Sequence, residues 1–349
     1  MKKNVLVIGR FVKEGFATHI RDTLLDMGYN VQEFVPDGQP IASGGKLIHR
    51  INQARRVIDN ILREIPKFRA KQMEKLWKLV DNTNLSYIIV CHDFLQPAEI
   101  MQLKKLTQAK IGMWFPDALV NFGKGYFMNA PYDGLFFKDP FIPKALFNVL
   151  QSPVYYMPEC FNPKLHRLTT DEIHEKYKCD ITTAGNAHSW RVAFYDHLAK
   201  YDVKIWGPRA PLWMPLGKLK TRFQNHLVYY HEKAQAFLGA KIVVNNLHYG
   251  EIWGLNVRTF EAAGIGAFQL VDSRLGLAQL FEEGKEIVSF SSLEDMHQKI
   301  RYFLEHPELR HQIAQAGKLR AYKDHTYELR LKLILDTLDG NASGYPIML

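Results

Sequence analysis

The chain has 349 residues, 47% hydrophobic and 23% charged, with a formal net charge of +9 at pH 7. That balance is globular, the length allows two domains with separate cores, and no apolar run reaches membrane-spanning length. Three cysteines, Cys91, Cys160 and Cys179, lie far apart without CxxC spacing, which argues against a disulfide framework or a zinc site.

The first apolar run, Val5-Leu6-Val7-Ile8, is too short for a signal peptide and is ended by Gly9 and Arg10. It reads as the first buried strand of a cytoplasmic protein. Similar runs rich in Val, Ile, Tyr and Phe recur at 31–35, 87–91, 111–115, 135–137, 154–157, 181–183, 203–206, 242–245, 268–271 and 287–290. Amphipathic stretches lie between and after them, at 18–27, 98–106, 190–200, 258–263, 293–304 and 327–338. Such alternation predicts an α/β architecture with parallel sheets, and eleven strands are better divided between two sheets than held in one. The break is expected between Pro158 and Lys178, giving domains at 1–165 and 166–326. The closing helix and tail, 327–349, are a candidate to cross back onto the first domain.

Between residues 46 and 78, ten Lys and Arg face three acidic residues. Apolar residues recur there near helical spacing, so the run suggests a basic amphipathic helix pair. Peripheral contact with the inner face of a membrane, or docking of an acceptor, would suit it. An ordinary solvated helical face fits as well. With few aromatics and no RNP-like motif, nucleic-acid binding is the weaker reading.

Ligands of open parallel sheets bind beyond the carboxyl ends of the strands. After the first strand, Gly9-Arg10 to Gly15 is not GxGxxG, yet a glycine turn into a helix can approach an anion or sugar. After the third and fourth strands stand His92-Asp93 and Trp114-Phe115-Pro116-Asp117. Arg10, Gly15 and His92 are acceptor-side candidates. Asp93 and Asp117 are catalytic candidates, because a hydroxyl acceptor needs a group to take its proton. A helix cap or loop-closing carboxylate is the competing reading for each.

In the second half, Gly185-Asn186 would let a phosphate approach the backbone, with Arg191 in the next helical turn and Arg209 at a later loop tip. The densest segment runs from Asn245 through Tyr249-Gly250-Glu251 to Asn256-Val257-Arg258 and Glu261. A strand ends in polar residues, a glycine loop follows, and Asn256 is a suitable N-cap for a helix whose start would seat a pyrophosphate. Arg258 would pair with phosphate and Glu261 with ribose hydroxyls. No HxxxH or HxH pair with acidic neighbours occurs, so no metal site is predicted.

The segment Asn256-x-Arg258-x-Phe260-Glu261-Ala262-Ala263 leading to Gly266 resembles the CgeB/YkvP-type spore-protein glycosyltransferases, a branch of the GT-B glycosyltransferases. The likeness continues through Gly284-Lys285-Glu286-Ile287-Val288, Ile313-Ala314-Gln315-Ala316-Gly317 and His325-Thr326-Tyr327-x-x-Arg330. Trp114-x-x-Asp117, Phe137-Lys138-Asp139 and Tyr156-Met157-Pro158-Glu159 are similar to that family's N-terminal half. The resemblance implies two facing Rossmann-like domains with the donor nucleotide on the C-terminal one. It also implies transfer from a nucleotide-sugar, used as substrate rather than cofactor, without an obligatory metal, to a glycan, lipid-linked glycan or protein acceptor. In the broader retaining GT-B group two glutamates separated by seven residues mark the donor site. Here Glu251 and Glu261 are separated by nine; Glu261 matches the second position, and Glu251 matches the first only if the loop carries a two-residue insertion. A nucleotide-sugar epimerase on the same fold, or a non-catalytic sugar- or nucleic-acid-binding protein, are the alternatives.

Overall fold

The computed structural model describes residues 2–36, 51, 54, 58, 61–62, 64–121, 123–150, 152–170 and 172–347. Each of the eleven apolar runs forms a strand, with ends within two residues of those expected. The chain divides into two compact units.

Unit 1 comprises Met1–Phe137, Pro143–Met157 and Leu331–Tyr345. Its strands are β1 (Asn4–Ile8), β2 (Asn30–Phe34), β3 (Tyr87–Val90), β4 (Lys110–Phe115), β5 (Gly134–Phe137) and β6 (Val154–Tyr156). All pairs are parallel in the order β2-β1-β3-β4-β5-β6. β3 is Tyr-Ile-Ile-Val with every residue buried, the continuous apolar pattern of a strand covered on both faces. Gly112 and Gly134 make room on β4 and β5: a Cβ on either would stand 3.2 or 3.0 Å from Leu338, in the helix Tyr327–Leu338.

Of the basic run, the segments 46–50, 52–53, 55–57 and 59–60 and residue 63 lie outside the described residues. The described part includes the helix Pro66–Asp81, which buries Met73, Leu76 and Val80. Its Arg69 is no surface charge. It is buried, and its guanidinium donates to both Glu99 oxygens at 2.6 and 2.7 Å and to the Phe94 carbonyl at 3.0 Å. Lys67, Lys71, Lys75 and Lys78 are exposed.

Unit 2 comprises Lys138–Ile142, Pro158–Arg330 and Pro346–Leu349. Its strands β7 (Cys179–Ala184), β8 (Val203–Trp206), β9 (Ala240–Asn245), β10 (Gln269–Asp272) and β11 (Val288–Phe290) run parallel in the order β11-β10-β9-β7-β8. Ile181, Ile205, Ile242, Val244 and Leu270 are inner residues of its main core. The order reverses between β7 and β9, so the loops after these two strands flank the switch point, where open α/β sheets bind ligands. In unit 1 the equivalent place is between β1 and β3.

The helix Pro307–Asp324 was not legible as an amphipathic stripe. It packs through small residues, Ala314, Gly317 and Ala321; a Cβ on Gly317 would stand 2.4 Å from the Glu286 carbonyl oxygen. The helix expected over 190–200 ends at Asp196 and is followed by a turn. Helices Phe141–Leu150 and Tyr230–Leu238 were likewise not anticipated.

Candidate nucleotide-binding site

β9 ends in Asn245, fully buried at the switch point of unit 2. Its amide nitrogen donates to Asn256 Oδ1 at 3.1 Å and Thr259 Oγ1 at 2.9 Å. Its amide oxygen accepts from Asn256 Nδ2 at 3.0 Å and from Arg258 Nη1 at 3.0 Å. Asn256 caps the helix Val257–Ile265, its side chain accepting from the Thr259 N–H. One buried asparagine therefore fixes the helix start and aims Arg258.

Arg258 points toward the loop after β7. A Cβ placed on Gly185 would stand 2.6 Å from Arg258 Nη2 and 2.8 Å from Arg191 Nη1. Gly185 has φ +140, a conformation that side chains rarely adopt. Its carbonyl closes on Gly207, where a Cβ would come within 2.2 Å of it. Arg191, in the first turn of the helix Ser189–Asp196, donates through Nη1 to the Asn186 carbonyl at 2.9 Å. Its buried Nε has no hydrogen-bond partner among the described residues, and neither has the buried Oδ1 of Asn246.

Two buried guanidiniums thus meet over a glycine at the starts of two helices. Burial first, and the charge of Arg191 next, push Arg258 down to about 10. Burial and the same Arg191 hold His188 below the ordinary imidazole range. Like charges brought together out of water need an anion to be at their best, and a diphosphate supplies one. Beside them Trp190 lies edge-on to His248 at 5.1 Å and to Tyr249 at 6.2 Å, and Tyr249 is exposed.

The glycine loop is pinned from below. The Asp139 carboxylate accepts from the N–H groups of Ile252 at 2.8 Å and Trp253 at 3.1 Å. Lys138 Nζ donates to buried Glu251 at 2.6 Å, and Arg274 Nε to the Glu251 carbonyl at 3.0 Å. Gly250 donates its N–H to His248 Nδ1 at 2.9 Å. Gly254 lets the loop lie on Asp139, whose Cα would be 2.9 Å from a Cβ there.

Glu261 is buried and receives Lys233 Nζ at 2.8 Å. His166 Nε2 stands 3.4 Å from the same oxygen. Because His166 Nδ1 accepts the Asn162 N–H, Nε2 is the nitrogen that carries the proton toward the carboxylate. Arg209 is exposed on the loop after β8.

In unit 1 the candidates gather at the other switch point. His92, directly after β3 and Cys91, has φ 120, uncommon for any residue with a Cβ. Its ring packs 4.4 Å from Phe115, and its Nε2 stands 3.7 Å from the Asp117 carboxylate. Arg10 lies over the Phe94 ring at 5.3 Å. Gly15 closes a turn by donating its N–H to the Val12 carbonyl. Asp93 is a loop clamp: its two oxygens accept from the N–H groups of Tyr126 at 2.9 Å and Phe127 at 3.0 Å. Burial raises the Asp93 carboxyl, opposed by those N–H groups.

Sequence reasoning passed over Lys233, His166, Lys138 and Asp139 as parts of this site. Lys233 carried a usable signal, a lysine beside Ala234, Ala236 and Phe237, all buried.

Residues 189–336 match a family model described as "Glycosyl transferase-like". No curated protein sequence matches the chain. Among solved structures, a glycosyltransferase from Rickettsia africae ESF-5 is similar at a TM-score of 0.67 and 14% identity, covering 98% of this chain and 100% of that one. Sucrose-phosphate synthase from Thermosynechococcus elongatus is similar at 0.65 and 10%, covering 98% and 100%. Anabaena HepE in complex with UDP-glucose is similar at 0.65 and 12%, covering 97% and 99%. At these identities the likeness is one of fold: two Rossmann-like α/β domains of the GT-B class.

Proposed function

We propose that the chain is a glycosyltransferase that takes a sugar from a nucleoside-diphosphate donor bound on unit 2. The observation that carries the reading is the pair of buried arginines, Arg191 and Arg258, converging on Gly185 at the switch point. The glycosyl transferase-like match over 189–336 spans both arginines. In the reaction the bond from the anomeric carbon to the β-phosphate oxygen breaks, and its electron pair leaves on the diphosphate. The acceptor hydroxyl forms the new bond and loses its proton to a base. Arg191, Arg258 and the N–H groups at the start of Val257–Ile265 stabilise the charge that gathers on the departing diphosphate. These guanidiniums supply the positive charge a divalent cation would otherwise bring, so the reaction is proposed to need no metal.

Glu261, steadied by Lys233 and His166, is proposed to meet the donor ribose. Tyr249 and Gly250 would line the sugar side, and Arg209 the nucleotide side. On unit 1, Asp117 with His92 is the proposed base, Asp93 shapes the loop around it, and Arg10 and Gly15 receive the acceptor, a glycan or lipid-linked glycan. The exposed lysines of Pro66–Asp81 are proposed to face that acceptor or an anionic membrane inside the cell. Uracil is the base to test first, since HepE is seen with UDP and with UDP-glucose.

Calorimetric titration of UDP, ADP, GDP and their glucose conjugates, with and without EDTA, tests the reading. One nucleoside diphosphate should bind regardless of EDTA, and its sugar conjugate should be consumed. A folded sample that binds none of them would overturn it.

A further inference from the structure

Beyond the donor site, unit 2 carries an apolar tip that no core covers. After β8 the chain leaves the sheet edge at Gly207 and returns at Arg222, whose carbonyl accepts the Ile205 N–H at 3.0 Å. The Gln224 N–H then donates to the Ile205 carbonyl at 2.9 Å. The excursion has both ends tied to β8, the geometry of a compact surface loop. Its far end is a tight turn, closed by the Met214 N–H donating to the Pro211 carbonyl at 3.0 Å. The two central residues of that turn are Leu212 and Trp213, 92% and 72% exposed.

This exposure is held from beneath. Ala210 and Met214, on either side of the pair, are buried in the main core of unit 2, as are Leu219 and Phe223 farther along. The loop therefore cannot fold Leu212 and Trp213 inward without pulling Met214 out. Water is a poor environment for a leucine and a tryptophan side by side, and a fold that fixes them outward sets them toward an apolar phase.

The surrounding charge says which one. From 203 to 231 the chain has five Lys and Arg (Lys204, Arg209, Lys218, Lys220, Arg222) and no Asp or Glu. Arg209, Lys218 and Lys220 are exposed. Arg222 faces Asp202 at 3.7 Å. A leucine to enter hydrocarbon, a tryptophan for the interface and exposed cations on the same loop for headgroup phosphates form the two-part signal that holds a protein on an anionic bilayer. A nucleic acid would answer the cations but offers no apolar phase to Leu212.

We propose that the loop 207–222 docks unit 2 on the surface of an anionic lipid bilayer, with Leu212 and Trp213 entering the interface and Lys218 and Lys220 contacting headgroups. The test is co-sedimentation of the full chain with vesicles of phosphatidylglycerol or of phosphatidylcholine, alongside titration with duplex DNA. Phosphatidylglycerol should bind at least 10-fold tighter than phosphatidylcholine, with binding weakening as salt rises, and tryptophan emission should shift to the blue. The double variants L212S/W213S and K218E/K220E should each weaken vesicle binding at least 10-fold while keeping the wild-type Tm and nucleoside-diphosphate affinity. W213F should retain binding and lose most of the emission shift. Equal binding to both lipids, vesicle binding unaffected by L212S/W213S, or tighter binding to DNA than to phosphatidylglycerol would overturn the proposal. The donor-site titrations stand apart from all of these outcomes.

Discussion

Replacing Arg258 with methionine separates binding from stability, because the two respond differently. In the folded chain this guanidinium is pushed down to about 10, chiefly by burial. At about 1.36 kcal/mol per unit, keeping the charge there costs roughly 3 kcal/mol. The folded value is the lower one, so at pH 7 the group is protonated in both the folded and unfolded chains. The cost is then present in full and is relieved only as pH rises through about 10. Against this gain, Arg258→Met loses the bond to Asn245 Oδ1 at 3.0 Å. A hydrogen bond to a charged group is worth about 1.5–3 kcal/mol. Asn245 Oδ1 still accepts from Asn256 Nδ2, so no buried acceptor is orphaned. The balance lies between about 0 and 1.5 kcal/mol in favour of the variant. Its Tm should be unchanged or a few degrees higher. Diphosphate affinity should fall roughly 10–150-fold, the loss of one charge-assisted contact. Thermal denaturation and calorimetric titration with the preferred nucleoside diphosphate measure the two sides. A Tm lowered by about 10 °C with unchanged affinity would refute the reasoning, since Arg258 would then be a structural cation.

Gly185→Ala should lower donor affinity and cost about 1–3 kcal/mol, because its Cβ meets both arginines at a φ of +140; equilibrium urea denaturation and titration read both. Lys233→Met should destabilise by about 3–5 kcal/mol by leaving the Glu261 carboxylate buried without its lysine. Adding Glu261→Gln should recover much of that in the same denaturation assay, and a single variant within about 1 kcal/mol of wild type would dismiss the pair. His325 is pushed down to about 3, chiefly by burial and then by Arg330, which donates into its Nδ1 at 2.7 Å while its Nε2 reaches the Leu280 carbonyl at 2.8 Å. Its folded value is depressed, so its contribution is complete above about pH 6.5 and is lost as pH falls toward 3. His325→Gln should flatten the pH dependence of Tm in that window. Asp139→Asn should loosen the loop it clamps, seen as faster amide exchange at Ile252 and Trp253.

Much of the secondary structure was legible because strand and helix signals are local. Val5–Ile8 and Tyr87–Val90 are short apolar runs, and a parallel strand buried on both faces has no other way to look. The start of Val257–Ile265 was legible for the same reason: Asn256 caps a neighbour three residues on. Pro307–Asp324 was hidden because, Ile313 apart, it buries alanine and glycine, which leave no hydrophobic stripe.

The site divides along the same line. The sequence alone determined that Gly185, Arg191 and Arg258 follow strands or open helices, since each of those facts concerns residues a few positions apart. That β9 lies beside β7, bringing Arg258 to Gly185 across seventy-two intervening residues, was decided by sheet order. Tertiary packing likewise chose Lys233 and His166 as the partners of Glu261, and gave Asp93 two backbone N–H groups to clamp. A buried charge must find a counter-charge or donor somewhere, and burial itself is a property of the assembled chain.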